Sequence, residues 1–144
     1  MKTPILRAGL MALACTGALA FATPSMAAST TFKANLSAAS EVPPNDSKGK
    51  GTVTATYDDA TKTLTWKGTY SDLSGPATAA HFHGPAAAGK NAGVMVPINP
   101  STSPLDGSAT LNDAQAKALM DGDLYVNVHT AANKGGEIRG QLTK

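Results

Sequence analysis

The feature that most constrains this chain is a period of two. Residues 51–57, GTVTATY, put Val53, Ala55 and Tyr57 on one face and threonines on the other. Residues 62–70, KTLTWKGTY, repeat the pattern with Leu64 and Trp66 in register. Successive side chains of a strand point to opposite sides, so alternation of this kind is the signature of a half-buried strand. The intervening DDAT of residues 58–61 supplies turn chemistry, and the two runs are expected to form a β-hairpin.

Further strands are expected at Thr31 to Ser37, Ala77 to His83, Gly93 to Ile98, Gly107 to Leu111, Asp123 to Thr130 and Glu137 to Leu142, separated by Gly, Pro, Asn and Ser. Residues 112–120, NDAQAKALM, break the pattern. Asn112 can cap a short helix, Gln115 completes a capping-box spacing, and Gly122 follows its end. The expected fold class is all-β: a Greek-key β-sandwich or barrel of about 7–9 strands with one short helix, superoxide-dismutase-like or immunoglobulin-like. No repeat, linker or low-complexity tract interrupts it.

Residues 1–27 have the anatomy of a secretory signal peptide: Lys2 and Arg7, then an apolar run, then the small-residue pattern Ser25-Met26-Ala27. A membrane anchor is disfavoured by Pro24, by the shortness of the run and by the lack of a stop-transfer pattern. The expected destination is the periplasm or the medium, with no membrane attachment after cleavage. Leu13-Ala14-Cys15 weakly resembles a lipoprotein processing site, but the apolar stretch before it is very short and a better cleavage site follows.

Cleavage after Ala27 would leave 117 of the 144 residues, 28–144, enough for one domain with one core. That portion has no cysteine, which excludes disulfides, cysteine nucleophiles and thiolate metal sites. Lys2 and Arg7 account for the formal +2, so the rest balances 10 basic against 10 acidic residues. No basic patch points to nucleic acid.

The three histidines carry the chemistry. On an Ala77–His83 strand, Phe82 and Ala80 belong to the core face, so His81 and His83 point outward, roughly 7 Å apart at Cα by the strand rise. On an Asp123–Thr130 strand, Leu124, Val126 and Val128 form the core face, leaving Tyr125, Asn127 and His129 outside. If the strands are neighbours, three neutral imidazoles form one cluster, a donor set that suits copper or zinc. A lone surface histidine carries no such meaning; here every histidine passes the same face test.

Other residues could complete the site. Met95 is a soft thioether that would favour Cu(I), or an ordinary core residue. Tyr125 and Asn127 share the face of His129 and could orient a ring nitrogen by hydrogen bonding. Glu41, ahead of Pro43-Pro44, is a further neighbour or a turn residue. Arg139 puts a cation on an outer face, where an ordinary role would be a solvated arginine paired with Glu137 or Asp123. The loop of residues 84–93, GPAAAGKNAG, lacks the spacing of a phosphate-binding loop and is expected to be a mobile rim beside the histidines. The sequon Asn35-Leu36-Ser37 would matter only in a eukaryotic secreted protein.

Five ordered segments, ANLSAASEVPP (34–44), TKTLTW (61–66), LSGPATAAHFHGP (73–85), DLYVNVHT (123–130) and GEIRGQL (136–142), closely resemble the CHRD domain, the module named for its occurrence in chordin. The resemblance covers residues 28–144 and implies a β-sandwich in a single-domain bacterial member. Chordin's growth-factor binding is not implied for a lone domain. His81, His83 and His129 also resemble, in order and facing direction, the copper ligands of Cu,Zn superoxide dismutase, in which an arginine near the copper steers anions. A bridging histidine, a zinc loop and a disulfide are missing, so a zinc-free copper site is the most that this likeness implies.

Three functions follow as expectations. The first is an exported copper-binding protein serving sequestration, delivery or tolerance, holding Cu(II) or Cu(I), with zinc as the competing ion. The second is a copper redox enzyme acting on superoxide or oxygen, for which the sequence offers no persuasive proton donor. The third is a structural or adhesive module without metal. A binding role is favoured over catalysis. No G-x-S-x-G motif or other hydrolase constellation appears. A homodimer or a periplasmic partner protein is left open.

Overall fold

The computed structural model describes residues 28–144; residues 1–27, with the expected signal peptide and Cys15, lie outside the described residues. Eight strands form: β1 (Ser29–Ser37), β2 (Lys50–Asp58), β3 (Thr63–Ser71), β4 (Ala77–His83), β5 (Val94–Pro97), β6 (Leu105–Thr110), β7 (Tyr125–Thr130) and β8 (Ile138–Gln141), with α1 (Asp113–Asp121) between β6 and β7. All pairings are antiparallel, in one sheet of order β5-β4-β7-β8-β1-β2-β3-β6.

The expected hairpin is the β2–β3 pair, with Ala55 opposite Trp66 and Tyr57 opposite Leu64. Val53, Ala55, Tyr57, Leu64 and Trp66 are all buried, as the alternation requires. Asp58 Oδ1 accepts the backbone N–H groups of Ala60 and Thr61, which closes the turn. β1 repeats the logic by burying Phe32, Ala34 and Leu36.

Trp66 of β3 meets Phe82 of β4 edge to face, with ring centroids 5.1 Å apart, although four strands separate them along the sheet. The sheet therefore curls over its own apolar face into a nearly closed barrel or sandwich. Close approach on β6 is what Gly107 permits: a Cβ there would lie 2.7 Å from Trp66 Cζ2. The curled core is completed by Val96, Ile98, Leu105, Leu111, Leu119, Leu124, Val126, Val128 and Ile138.

The helix also follows from its local signals. Asn112 accepts from Gln115 N, Gln115 Oε1 accepts from Asn112 N, both at 2.9 Å, and Gly122 ends the helix in the left-handed region at φ 81°. α1 buries Ala118 and Leu119. Strand pairing sets the site: β7 lies between β4 and β8, placing His81 opposite Asn127 and Asn127 opposite Arg139.

Candidate metal centre

The alternation that sends Phe82 and Val128 inward sends His81, His83 and His129 to the other face of neighbouring strands β4 and β7. One ring nitrogen from each lies within 4.8 Å of the others. His81 Nδ1 and His129 Nε2 are 3.2 Å apart, and the ring centroids of the three pairs are 5.1 to 5.8 Å apart. The cluster contains three imidazoles and no carboxylate among the described residues.

Two rings are oriented by backbone carbonyls. His83 Nδ1 is 3.0 Å from Ala92 O, and His129 Nδ1 is 2.9 Å from Lys134 O. A carbonyl only accepts, so each Nδ1 carries the proton and each Nε2 keeps its lone pair. His83 Nε2 is buried without any hydrogen-bond partner. His81 Nδ1 then donates to His129 Nε2, and becomes an acceptor once its proton moves to Nε2.

An orphaned, buried imidazole acceptor next to two more imidazole nitrogens fits a metal of the copper or zinc type. Metal–nitrogen bonds of about 2.0–2.1 Å need donor separations of no more than about 4 Å, so the cluster requires only a small contraction. Electrostatics favour the ligating form. Burial, reinforced by the neighbouring His129, holds the His81 pKa below the ordinary 6.5. Burial also lowers that of His83; the Ala92 carbonyl opposes this, while His81, His129 and Arg139 add to it.

The surroundings differ from an open strand face. Tyr125 and Asn127 point outward as expected, yet both are buried. Residues 84–93 fold over Tyr125 and are tied down: Tyr125 Oη bonds Ala92, Arg139 donates to Asn91 Oδ1 at 3.0 Å and to Lys90 O at 2.6 Å, and Asn91 donates to Val42 O. Asn127 is covered instead by Glu41 and the close approach of Gly136. The expected mobile rim is thus a pinned cover. The Tyr125 ring stacks on His83 at 5.0 Å with planes 5° apart, fixing the imidazole from one side.

Arg139 departs furthest from the solvated, carboxylate-paired role. It is only 2% exposed, and its guanidinium lies 3.4 Å above the centre of the Tyr125 ring. It makes no salt bridge among the described residues, because carbonyl, amide and aromatic groups surround it. Glu41 accepts from Asn127 Nδ2 and stands outside the histidine cluster. Burial raises its pKa to about 7, against the opposing pull of Asn127, Arg139 and the Val42 N–H. Met95 packs against the core, and its carbonyl accepts from Gln115.

One supporting residue escaped the sequence reading. Glu137, expected on an outer face as a partner for Arg139, is 0% exposed and touches no cation. It accepts instead from Ser47 Oγ, Ser74 N, Ser74 Oγ, Thr130 Oγ1 and Asn133 Nδ2. Through Asn133 and Thr130 it clamps the loop that presents Lys134 O to His129. In that loop Gly136, at φ 133°, lies where a Cβ would collide with Asn127 and Glu41. Gly136 was the one sequence signal of this packing.

No curated protein and no solved structure matches the chain. The CHRD domain model matches residues 32–142, from the first core residue of β1 to the last core residue after β8. All three histidines and their carbonyl partners fall within that span, and the chain belongs to the CHRD domain family.

Proposed function

We infer that this is an exported copper-binding protein that holds one copper ion through His81, His83 and His129 for sequestration, delivery or tolerance. The observation that supports it is the convergence of three imidazole nitrogens, one of them a buried Nε2 with no other partner. All-imidazole donors suit copper, which tops the divalent affinity order, and zinc is the competitor to test against. His81 and His129 are only half-buried, which leaves the ion reachable for exchange with a donor or acceptor. Export rests on the residue 1–27 pattern and fits a domain without thiols.

The test is a titration of the purified, untagged protein with Cu(II), Cu(I) and Zn(II), beside His81→Ala, His83→Ala and His129→Ala. The expected result is one copper per chain, bound more tightly than zinc, with affinity lost in each variant while the fold is retained. Copper binding that survives removal of His83 would overturn the reading. Sustained superoxide turnover by the loaded protein would move the role from holding to catalysis.

A further inference from the structure

Away from the histidines lies a cavity of about 410 Å³ with an apolar wall from Ala39, Val42 and Pro44. Four polar residues complete it: Ser40, whose hydroxyl is bonded to that of Ser37, and Glu41, Arg139 and Gln141. No histidine lines it; its wall residue Arg139 stacks on the Tyr125 ring, which also stacks on His83.

Its two charged groups are buried and form no salt bridge with each other. Arg139 is 2% exposed and Glu41 6% exposed, yet no guanidinium nitrogen comes within 4.0 Å of the carboxylate, as a salt bridge would require. A guanidinium has five N–H donors, and protein oxygens take two of Arg139's, which leaves three without an acceptor among the described residues. Gln141 spends both side-chain N–H groups on Ala86 O and Gly122 O, leaving its Oε1 with no partner. Buried charges of this kind are costly unless something pairs with them.

We propose that this cavity is a binding site for a small zwitterion of the α-amino-acid class, its carboxylate held by Arg139 and its ammonium by Glu41. A guanidinium is matched to a carboxylate, which can accept two parallel N–H bonds. The ammonium carries three donors and no acceptor, so it answers the Glu41 carboxylate. A simple anion would satisfy Arg139 but stand against Glu41; a simple amine would do the reverse. The volume is within the usual range for small-molecule sites. Burial raises the pKa of Glu41 more than Asn127, Arg139 and the Val42 N–H lower it, so its carboxylate is incompletely compensated.

The test is an NMR titration of the ¹⁵N-labelled protein with natural amino acids at millimolar concentration, beside acetate and ethylamine as half-ligands. At least one amino acid should move the Arg139 Nε–H and Gln141 side-chain resonances saturably, about tenfold more tightly than either half-ligand. Glu41→Gln should weaken that binding at least about tenfold. Ala88→Trp, which fills the cavity from an exposed rim position without altering either charge, should abolish it. No saturable shift with any amino acid, acetate binding equally tightly, or full affinity in a well-folded Glu41→Gln protein would each overturn the proposal.

Discussion

Glu137→Gln replaces one carboxylate oxygen by an NH₂ group inside a shell of five donated hydrogen bonds. Burial alone would raise the pKa of Glu137, but the bonds from Ser47, Ser74 and Thr130 outweigh it and hold the carboxyl at about 2, against an ordinary 4.5. At about 1.36 kcal/mol per pH unit that difference amounts to about 3 kcal/mol of folding stability. A depressed folded-state pKa places this contribution above pH 4.5, and it is lost as pH falls from 4.5 towards 2. Glutamine cannot carry the charge, so the variant should be about 3 kcal/mol less stable at pH 7, a fall in Tm of about 10 °C. Below pH 4.5 the deficit should shrink, because the unfolded wild-type side chain then takes up a proton that the native one still excludes. Urea unfolding of both proteins between pH 7 and pH 3 measures it, and the other carboxylates cancel in the difference. A deficit constant across that range, or below about 1 kcal/mol at pH 7, would refute the claim that donated hydrogen bonds to an ionised Glu137 stabilise the fold.

Two further outcomes follow from the same geometry. In metal-free protein the NMR titration midpoints of His81 and His83 should both fall below 6.5, and the contribution of these two ligands to copper affinity should weaken only as pH drops through those midpoints; midpoints above 6.5 would contradict the desolvated cluster. Gly136→Ala combines a strained φ of 133° with a collision against Asn127 and Glu41, so it should cost about 2 kcal/mol or more in chemical unfolding, whereas Gly135→Ala, with open space around it, should cost far less.

The strands were legible because each half-buried strand has one face in the core and one outside, and Val53, Ala55, Tyr57, Leu64 and Trp66 state that division directly. The helix was legible because Asn112, Gln115 and Gly122 are each the residue its ends require. Facing direction was legible for the histidines for the same reason. The burial of Tyr125 and Arg139 on the outward face was not, because the cover over them is held by the carbonyls of Lys90 and Ala92, which any residue could supply. Glu137 was misread on similar grounds: alternation predicts its side of the strand, but not that Ser47, Ser74 and Asn133, distant in sequence or lying in turns, converge on it.

The partial cover also bears on how tightly an ion would be held. A ligand nitrogen in water must shed a hydrogen-bonded solvent molecule before it can bind, whereas His83 Nε2 has no partner to shed. Its ring is already fixed by the Ala92 carbonyl and the Tyr125 face, so little side-chain entropy remains to be lost. The opposing terms fall on the other two ligands: His81 Nδ1 and His129 Nε2 must give up their mutual hydrogen bond, and His81 must move a proton to its far nitrogen. Under the copper reading, His83 is therefore the anchor of the site, and the His81–His129 contact is the pair that an ion separates and replaces. Substitution of His83 should cost more affinity than substitution of His81, and that ordering distinguishes a half-buried, preorganised centre from three histidines that merely share a surface.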